Sequence, residues 1–302
     1  MTGGARPGAR RPAAPQPAIE LRRILWACDF STCSVEALRF VLPMARAYGA
    51  EVTALHVIPT RLPEGGGPLS FANPALLQPR LHHEASAALD RFAGLAAAAS
   101  VPAQVALREG KAVEHILEMA ATLPADLIVQ GTRGLGGIER SLIGSVAEAV
   151  IGRARCPVLT VPLDARPPSR TEVPAAVLCA TDFSAHADRA LALAASLATR
   201  SGAELLLVHV VESGPFAQED WTRKVDGRLA EAARATGHGR TRTIQTTGSA
   251  AEQILRVARE RKAGIVVLGT HGARGLRSIL FGSTARRVVR DAPCAVLTVR
   301  GA

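Results

Sequence analysis

The 302-residue sequence predicts an α/β protein made of two tandem units, each a five-stranded parallel sheet with helices on both faces. Three observations predict it. Short Val/Ile/Leu-rich runs alternate with longer Ala-rich amphipathic segments, the pattern of buried parallel strands joined by crossover helices. The order of these segments occurs twice. A glycine pattern also occurs twice: Gly131-Thr132-Arg133-Gly134 with Gly144-Ser145 after nine residues, and Gly269-Thr270-His271-Gly272 with Gly282-Ser283 after nine more.

In the first copy, Ile24–Ala27 reads as a short buried strand and Ser34–Tyr48 as a helix. Val52–Val57 reads as a second strand, and the helix after it begins near Leu81 and runs to Ala99. Gln104–Leu107, Ala112–Ala121 and Leu127–Val129 follow as strand, helix and strand, with Ser145–Gly152 as the last helix and Pro157–Val161 as the last strand. The second copy repeats this order from Val177 to Val299. Scarce aromatics, 3% of residues, mean that both cores must be built from Ala, Leu, Val and Ile.

The duplication is legible residue by residue. Asp29-Phe30-Ser31 matches Asp182-Phe183-Ser184, and Leu55-His56-Val57 matches Val208-His209-Val210, at an offset of 153. Gly110, Gly131 and Cys156 match Gly248, Gly269 and Cys294 at an offset of 138. The first copy therefore carries 15 extra residues, expected in a surface loop within the Pro/Gly-rich stretch Pro59–Pro79. The expected organisation is a disordered Arg/Pro-rich tail over 1–18, a first domain over 19–163, a proline-rich linker over 164–174 and a second domain over 175–302.

The net charge of +10 attracts phosphates and anionic surfaces, but Arg alternates with Glu and Asp along the helices, as on a solvated face. Basic residues are not interleaved with aromatics, which disfavours nucleic acid as a partner. The five cysteines form no Cys-x-x-Cys and lie in or beside apolar runs, so free thiols in a reducing compartment are expected. The tail lacks the apolar core of a signal peptide, and no apolar run is long enough to cross a bilayer; the cytoplasm is the expected location, with no membrane partner.

Ligands on open α/β sheets bind beyond the carboxyl ends of the strands, where the strand order reverses. With order 3-2-1-4-5, Asp29 after the first strand and Gly131 at the end of the fourth converge on one crevice, and so do Asp182 and Gly269. A carboxylate accepts hydrogen bonds from ribose hydroxyls or base amino groups. Gly131 and Gly134 permit close backbone approach. Gly144 and Ser145 stand at a helix start, where unpaired amides and the helix dipole favour an anion, and Ser145 adds a hydroxyl. His56 and His209 occupy matched strand positions and read as hydrogen-bonded structural residues. Each residue alone also suits a turn or a helix cap; the paired occurrence points to a phosphate-bearing ligand.

On these motifs the chain resembles a tandem universal stress protein, over roughly Ile19–Pro162 and Ala175–Arg300. Both copies meet the family's ATP-binding pattern of Gly, two residues, Gly, nine residues, Gly, then Ser or Thr. The resemblance implies a Rossmann-like fold of the adenine nucleotide alpha hydrolase-like type and ATP binding, with Mg2+ carried by the phosphates and no metal site of the protein's own. It assigns the strand-one aspartate to Asp29 and Asp182, an adenine contact to Val57 and Val210, and the phosphate-loop hydroxyl to Thr132 and Thr270. Arg133, Gly134, Gly144, Ser145 and Val146 complete the first implied site; His271, Gly272, Gly282, Ser283 and Thr284 complete the second. It also implies association through the last strands, Pro157–Val161 and Ala295–Val299, giving an intramolecular pseudo-dimer whose further pairing into a homodimer the sequence does not number. Arg133 and Gln130 depart from the family type, whereas His271 and Leu268 follow it, so the second copy lies nearer the pattern.

Three function classes meet these observations. The first is an ATP-binding stress or regulatory module acting on a protein partner. The second is a weak ATP hydrolase or nucleotidyl-transferring enzyme. It is disfavoured because the sequence has no Gly-x-x-x-x-Gly-Lys loop and no evident base beside the phosphate site, so no catalytic residue is assigned. The third, a nucleic-acid-binding protein, has the weakest support.

Overall fold

A computed structural model of the chain describes residues 20–60, 74–132, 134, 143–163, 165, 176–212, 219–270 and 281–300. The first copy runs β1 (Arg23–Ala27), α1 (Thr32–Glu36), α2 (Leu38–Tyr48), β2 (Glu51–Ile58), α3 (Pro74–Ala98), β3 (Ala103–Glu109), α4 (Ala112–Thr122), β4 (Leu127–Gly131), α5 (Ser145–Arg153) and β5 (Val158–Val161). The second runs β6 (Ala176–Ala180), α6 (Ala185–Ser201), β7 (Glu204–Val211), α7 (Glu219–Ala235), β8 (Thr241–Thr247), α8 (Ala250–Glu260), β9 (Ile265–Gly269), α9 (Ser283–Asp291) and β10 (Ala295–Val299).

The strands form one sheet in the order β3-β2-β1-β4-β5-β10-β9-β6-β7-β8. Pairing is parallel within each copy, in the order 3-2-1-4-5. The copies join through the antiparallel pair β5–β10, where Leu159 faces Leu297 and Thr160 faces Val296. The last strands thus meet at the pseudo-dimer interface, and they fuse the two five-stranded sheets into one.

Alternate strand residues go to opposite faces. Ile24 and Trp26 enter a core with Phe40, Phe92, Leu191 and Leu229 from α2, α3, α6 and α7. Leu25 and Leu55 enter the other core with Ile116, Ile151, Ile254 and Val288 from α4, α5, α8 and α9. Trp26 lies 4.9 Å from the Phe92 ring, and its indole N–H donates to Ser34 O at 3.1 Å. Ser31 caps α1 by accepting from Ser34 N, Ser184 caps α6 by accepting from Ala187 N, and the left-handed Gly49 and Gly202 close α2 and α6.

Two expectations change. The helix expected over Ser34–Tyr48 begins at Thr32 and divides at Ala37, whose carbonyl accepts from both Phe40 N (2.9 Å) and Val41 N (3.0 Å), a tightened turn between α1 and α2. The helix expected from Leu81 begins at Pro74, so part of the stretch read as an insertion loop is helical. Proline suits a first helical position, and Pro79 is tolerated inside α3. The expected tail over 1–18 lies outside the described residues, as does the linker apart from Ala165.

Candidate functional site

The site is assembled where β1 and β4 lie side by side and the strand order reverses. Asp29 follows β1 directly. The next residue, Phe30, has a φ of 59°, and its counterpart Phe183 has 61°, a left-handed conformation rarely taken by bulky side chains. Packing holds both. The Phe30 ring stacks on His56 at 4.5 Å and Phe183 meets His209 at 4.6 Å. Each histidine donates from Nδ1 to the backbone just before the aspartate, His56 to Cys28 O and His209 to Thr181 O, both at 2.8 Å. The two histidines are thus hydrogen-bonded as expected, and they brace the turn that presents the carboxylate.

Asp29 Oδ1 accepts from Ser31 N at 3.0 Å, and Asp182 Oδ1 from Ser184 N at 3.0 Å. One oxygen of each aspartate therefore closes a local turn. The other oxygen of Asp29 faces the glycine loop: a Cβ added to Gly134 would lie 2.5 Å from Oδ2. At Gly131 an added Cβ would lie 2.8 Å from Cys33 Cβ and 3.0 Å from Ser34 N. Glycine is required there because the end of β4 packs directly on α1.

Thr132 ties the loop together. Its amide donates to Val161 O at 3.0 Å, and its carbonyl accepts from Gly144 N at 2.9 Å. Thr270 repeats both bonds, to Val299 O and from Gly282 N, each at 2.9 Å. Threonine thus fixes the start of α5 and of α9 against the last strand of its own copy. Gly144 and Gly282 cap these helices in extended conformation without a side-chain cap. Thr132 is 3% exposed, and its hydroxyl has no hydrogen-bond partner among the described residues. Ser145, Val146 and Ser283 are exposed and Thr284 is half-buried at the two helix starts.

The pairing registers Ala27↔Leu55 and Ala180↔Val208 carry Val57 level with Asp29 and Val210 level with Asp182. Asp29, Val57, Gly131, Thr132, Gly134, Gly144, Ser145 and Val146 therefore share one end of the sheet, as do Asp182, Val210, Gly269, Thr270, Gly282, Ser283 and Thr284. Arg133, His271 and Gly272 lie outside the described residues.

Some contributors were given no role at the site from the sequence. Phe30 and Phe183 shape the turn, and the signal was available in the repeated Asp-Phe-Ser. Gln130, buried in β4, donates to Ala147 O at 3.1 Å and tethers α5 to the sheet; Leu268 leaves the second copy without that bond. In the second copy Arg228 lies 4.1 Å over the Phe183 ring. Burial pushes the Asp188 carboxyl above its ordinary value, Arg228 opposes that, and the Asp182 charge adds to it. Burial also pushes the His56 imidazole below its ordinary value, against the opposing pull of the Cys28 carbonyl and the Asp29 charge.

A family model described as the universal stress protein family matches residues 20–162 and again 175–300. The chain belongs to the universal stress protein family. A universal stress protein of Mycolicibacterium smegmatis is 28% identical over 293 residues, spanning 92% of this chain and 96% of the relative. One from Thermus aquaticus is 39% identical over 133 residues, 41% of this chain and 97% of the relative, the length of a single copy. The crystal structure of a universal stress protein from Archaeoglobus fulgidus superposes with a TM-score of 0.73 at 26% identity, covering 92% of this chain and 98% of that one. As in the universal stress proteins it matches along its whole length, both copies belong to one Rossmann-like fold. Among the described residues no helix is long and apolar enough to cross a membrane.

Proposed function

We propose that this universal stress protein binds an adenine nucleotide, ATP with Mg2+ carried by its phosphates, in each copy, and acts as a regulatory binding module whose ligand state is read by a protein partner. The observation that carries the reading is the convergence, at one end of the sheet, of the Asp29 carboxylate, Gly131, Gly134 and the glycine-capped start of α5. The second copy repeats it with Asp182, Gly269 and α9.

The residues fit such a ligand. The buried Thr132 hydroxyl has no partner among the described residues and is free to meet a phosphate oxygen or a loop group ordered by one. Gly134 leaves room beside Asp29 that any Cβ would take. The first turns of α5 and α9 offer backbone amides and the positive end of the helix dipole to an anion. Asp29 and Asp182 would hold ribose hydroxyls, and Val57 and Val210 would pack on the base. Bound nucleotide would bring the charge of its own phosphates to the helix starts, while the protein's residues bind and orient it. The five free cysteines fit a cytoplasmic setting. The proposed units are 19–163 and 175–302, joined by 164–174.

Calorimetric titration of nucleotide-free protein with ATP tests the reading. Two sites are expected in the parent, and one each in Gly144→Val and Gly282→Val. Valine tolerates the extended conformation of both caps but fills the space beside the first-turn amides. Absence of saturable heat in the parent overturns the reading. Phosphate release above background that the double variant Gly144→Val/Gly282→Val abolishes would replace a binding module with a hydrolase.

A further inference from the structure

Counted from the caps Gly144 and Gly282, Glu148 and Arg286 are each the fourth residue of their helices. The 138-residue offset relates them, so they are one position of the repeat carrying opposite charges. They meet across the centre of the molecule, with Arg286 Nη2 2.7 Å from Glu148 Oε1. The other basic residues of α9 are engaged within their own copy: Arg287 pairs with Glu252 at 2.9 Å and Arg290 with Asp291 at 2.8 Å. Arg286 also stands 6.0 Å from the ring of Phe281, the residue just before the cap of α9.

Each helix start is the proposed seat of a phosphate chain. A negative charge in the first turn of α5 opposes an anion there, and a positive charge in the first turn of α9 favours one. The pair is neutral as a whole but has a fixed direction, its negative end on the first copy and its positive end on the second. We infer that the Glu148–Arg286 pair makes the two nucleotide sites electrically unequal, lowering polyphosphate affinity in the first copy and raising it in the second. This rests on the nucleotide reading above. A single first-turn charge changes anion affinity by about two- to fivefold at low salt. The Glu148 and Arg286 side chains are 37% and 53% exposed, so salt screens the effect.

The test is ATP affinity, by calorimetry, for the first copy alone in the Gly282→Val protein and the second alone in the Gly144→Val protein. Each is measured with the native pair, with Glu148→Arg/Arg286→Glu, and with Glu148→Gln/Arg286→Gln. The reversed pair keeps an ion pair at the same place, so a general loss of folding does not mimic its effect. Reversal is expected to tighten the first copy by about two- to fivefold and weaken the second by a similar factor, with the Gln pair between, and high salt should compress the differences. Changes of the same sign in both copies, or none in either, overturn the inference while leaving nucleotide binding intact. No binding in either single-copy protein overturns both.

Discussion

At the scale of single residues, the turn after β1 uses an unfavourable backbone conformation to present a carboxylate. Phe30 takes it because its ring lies on His56, and His56 is oriented by Cys28 O. A carbonyl only accepts, so Nδ1 of His56 carries the proton in the neutral ring. Burial holds the imidazole below its ordinary value near 6.5. The unfolded chain then takes up a proton that the folded one resists, and the contribution to stability is complete above that ordinary value and is lost as pH falls through the lower folded value. Urea unfolding midpoints measured from pH 8 to pH 5 should decline on the acid side, and His56→Gln should flatten part of that decline. An unchanged slope in the variant would assign the decline to other groups. The carboxylate and glycines of the site were legible in the sequence because both copies repeat them at one offset. The left-handed phenylalanine was not, since nothing in a bulky aromatic announces a conformation that only its packing can hold.

At the scale of elements, alternation and duplication made the succession of strands and helices along the chain readable, because each buried parallel strand is a short Val/Ile/Leu run; the spatial order 3-2-1-4-5 entered as a premise, and the strand pairings supply it. The start of α3 was hidden by Pro74 and Pro79, which read as loop in a sequence and are tolerated once the helix packs. The opposition of Glu148 and Arg286 was also hidden: the offset equates the two positions, but only the seam between β5 and β10 brings them face to face. That seam holds its own asymmetry. Thr160 and Thr298 are equivalent, and Thr298 Oγ1 donates to Val158 O at 3.2 Å. Thr160 is fully buried, with its hydroxyl unpartnered among the described residues. Replacing an unbonded buried hydroxyl by a methyl of similar shape removes a desolvation cost, so Thr160→Val should stabilise by about 1 kcal/mol, and Thr298→Val should destabilise by a similar amount. Urea titration of both variants reads this directly; a Thr160→Val protein less stable than the parent would mean that the hydroxyl is bonded.

At the scale of the whole molecule, two copies of ordinary domain size would be expected to unfold one after the other. Here the sheet is continuous, and one core contains Val41 and Leu159 of the first copy with Leu191 and Leu297 of the second. Tyr48 shares a hydrogen bond with Ser196 at 3.0 Å, and Arg200 lies 4.6 Å over the Tyr48 ring, so α2 and α6 also close the interface. Scanning calorimetry of the ligand-free chain should show one transition whose calorimetric and van't Hoff enthalpies agree. Two resolved peaks would show that the seam is weaker than the copies it joins. The seam has a further consequence, because both of its strands belong to one polypeptide. Partners on separate chains fall apart when diluted, whereas partners on one chain meet at a local concentration set by the connection between them. The pairing of the two copies is therefore insensitive to how scarce the protein is, and either half can accumulate substitutions while remaining in the company of the other.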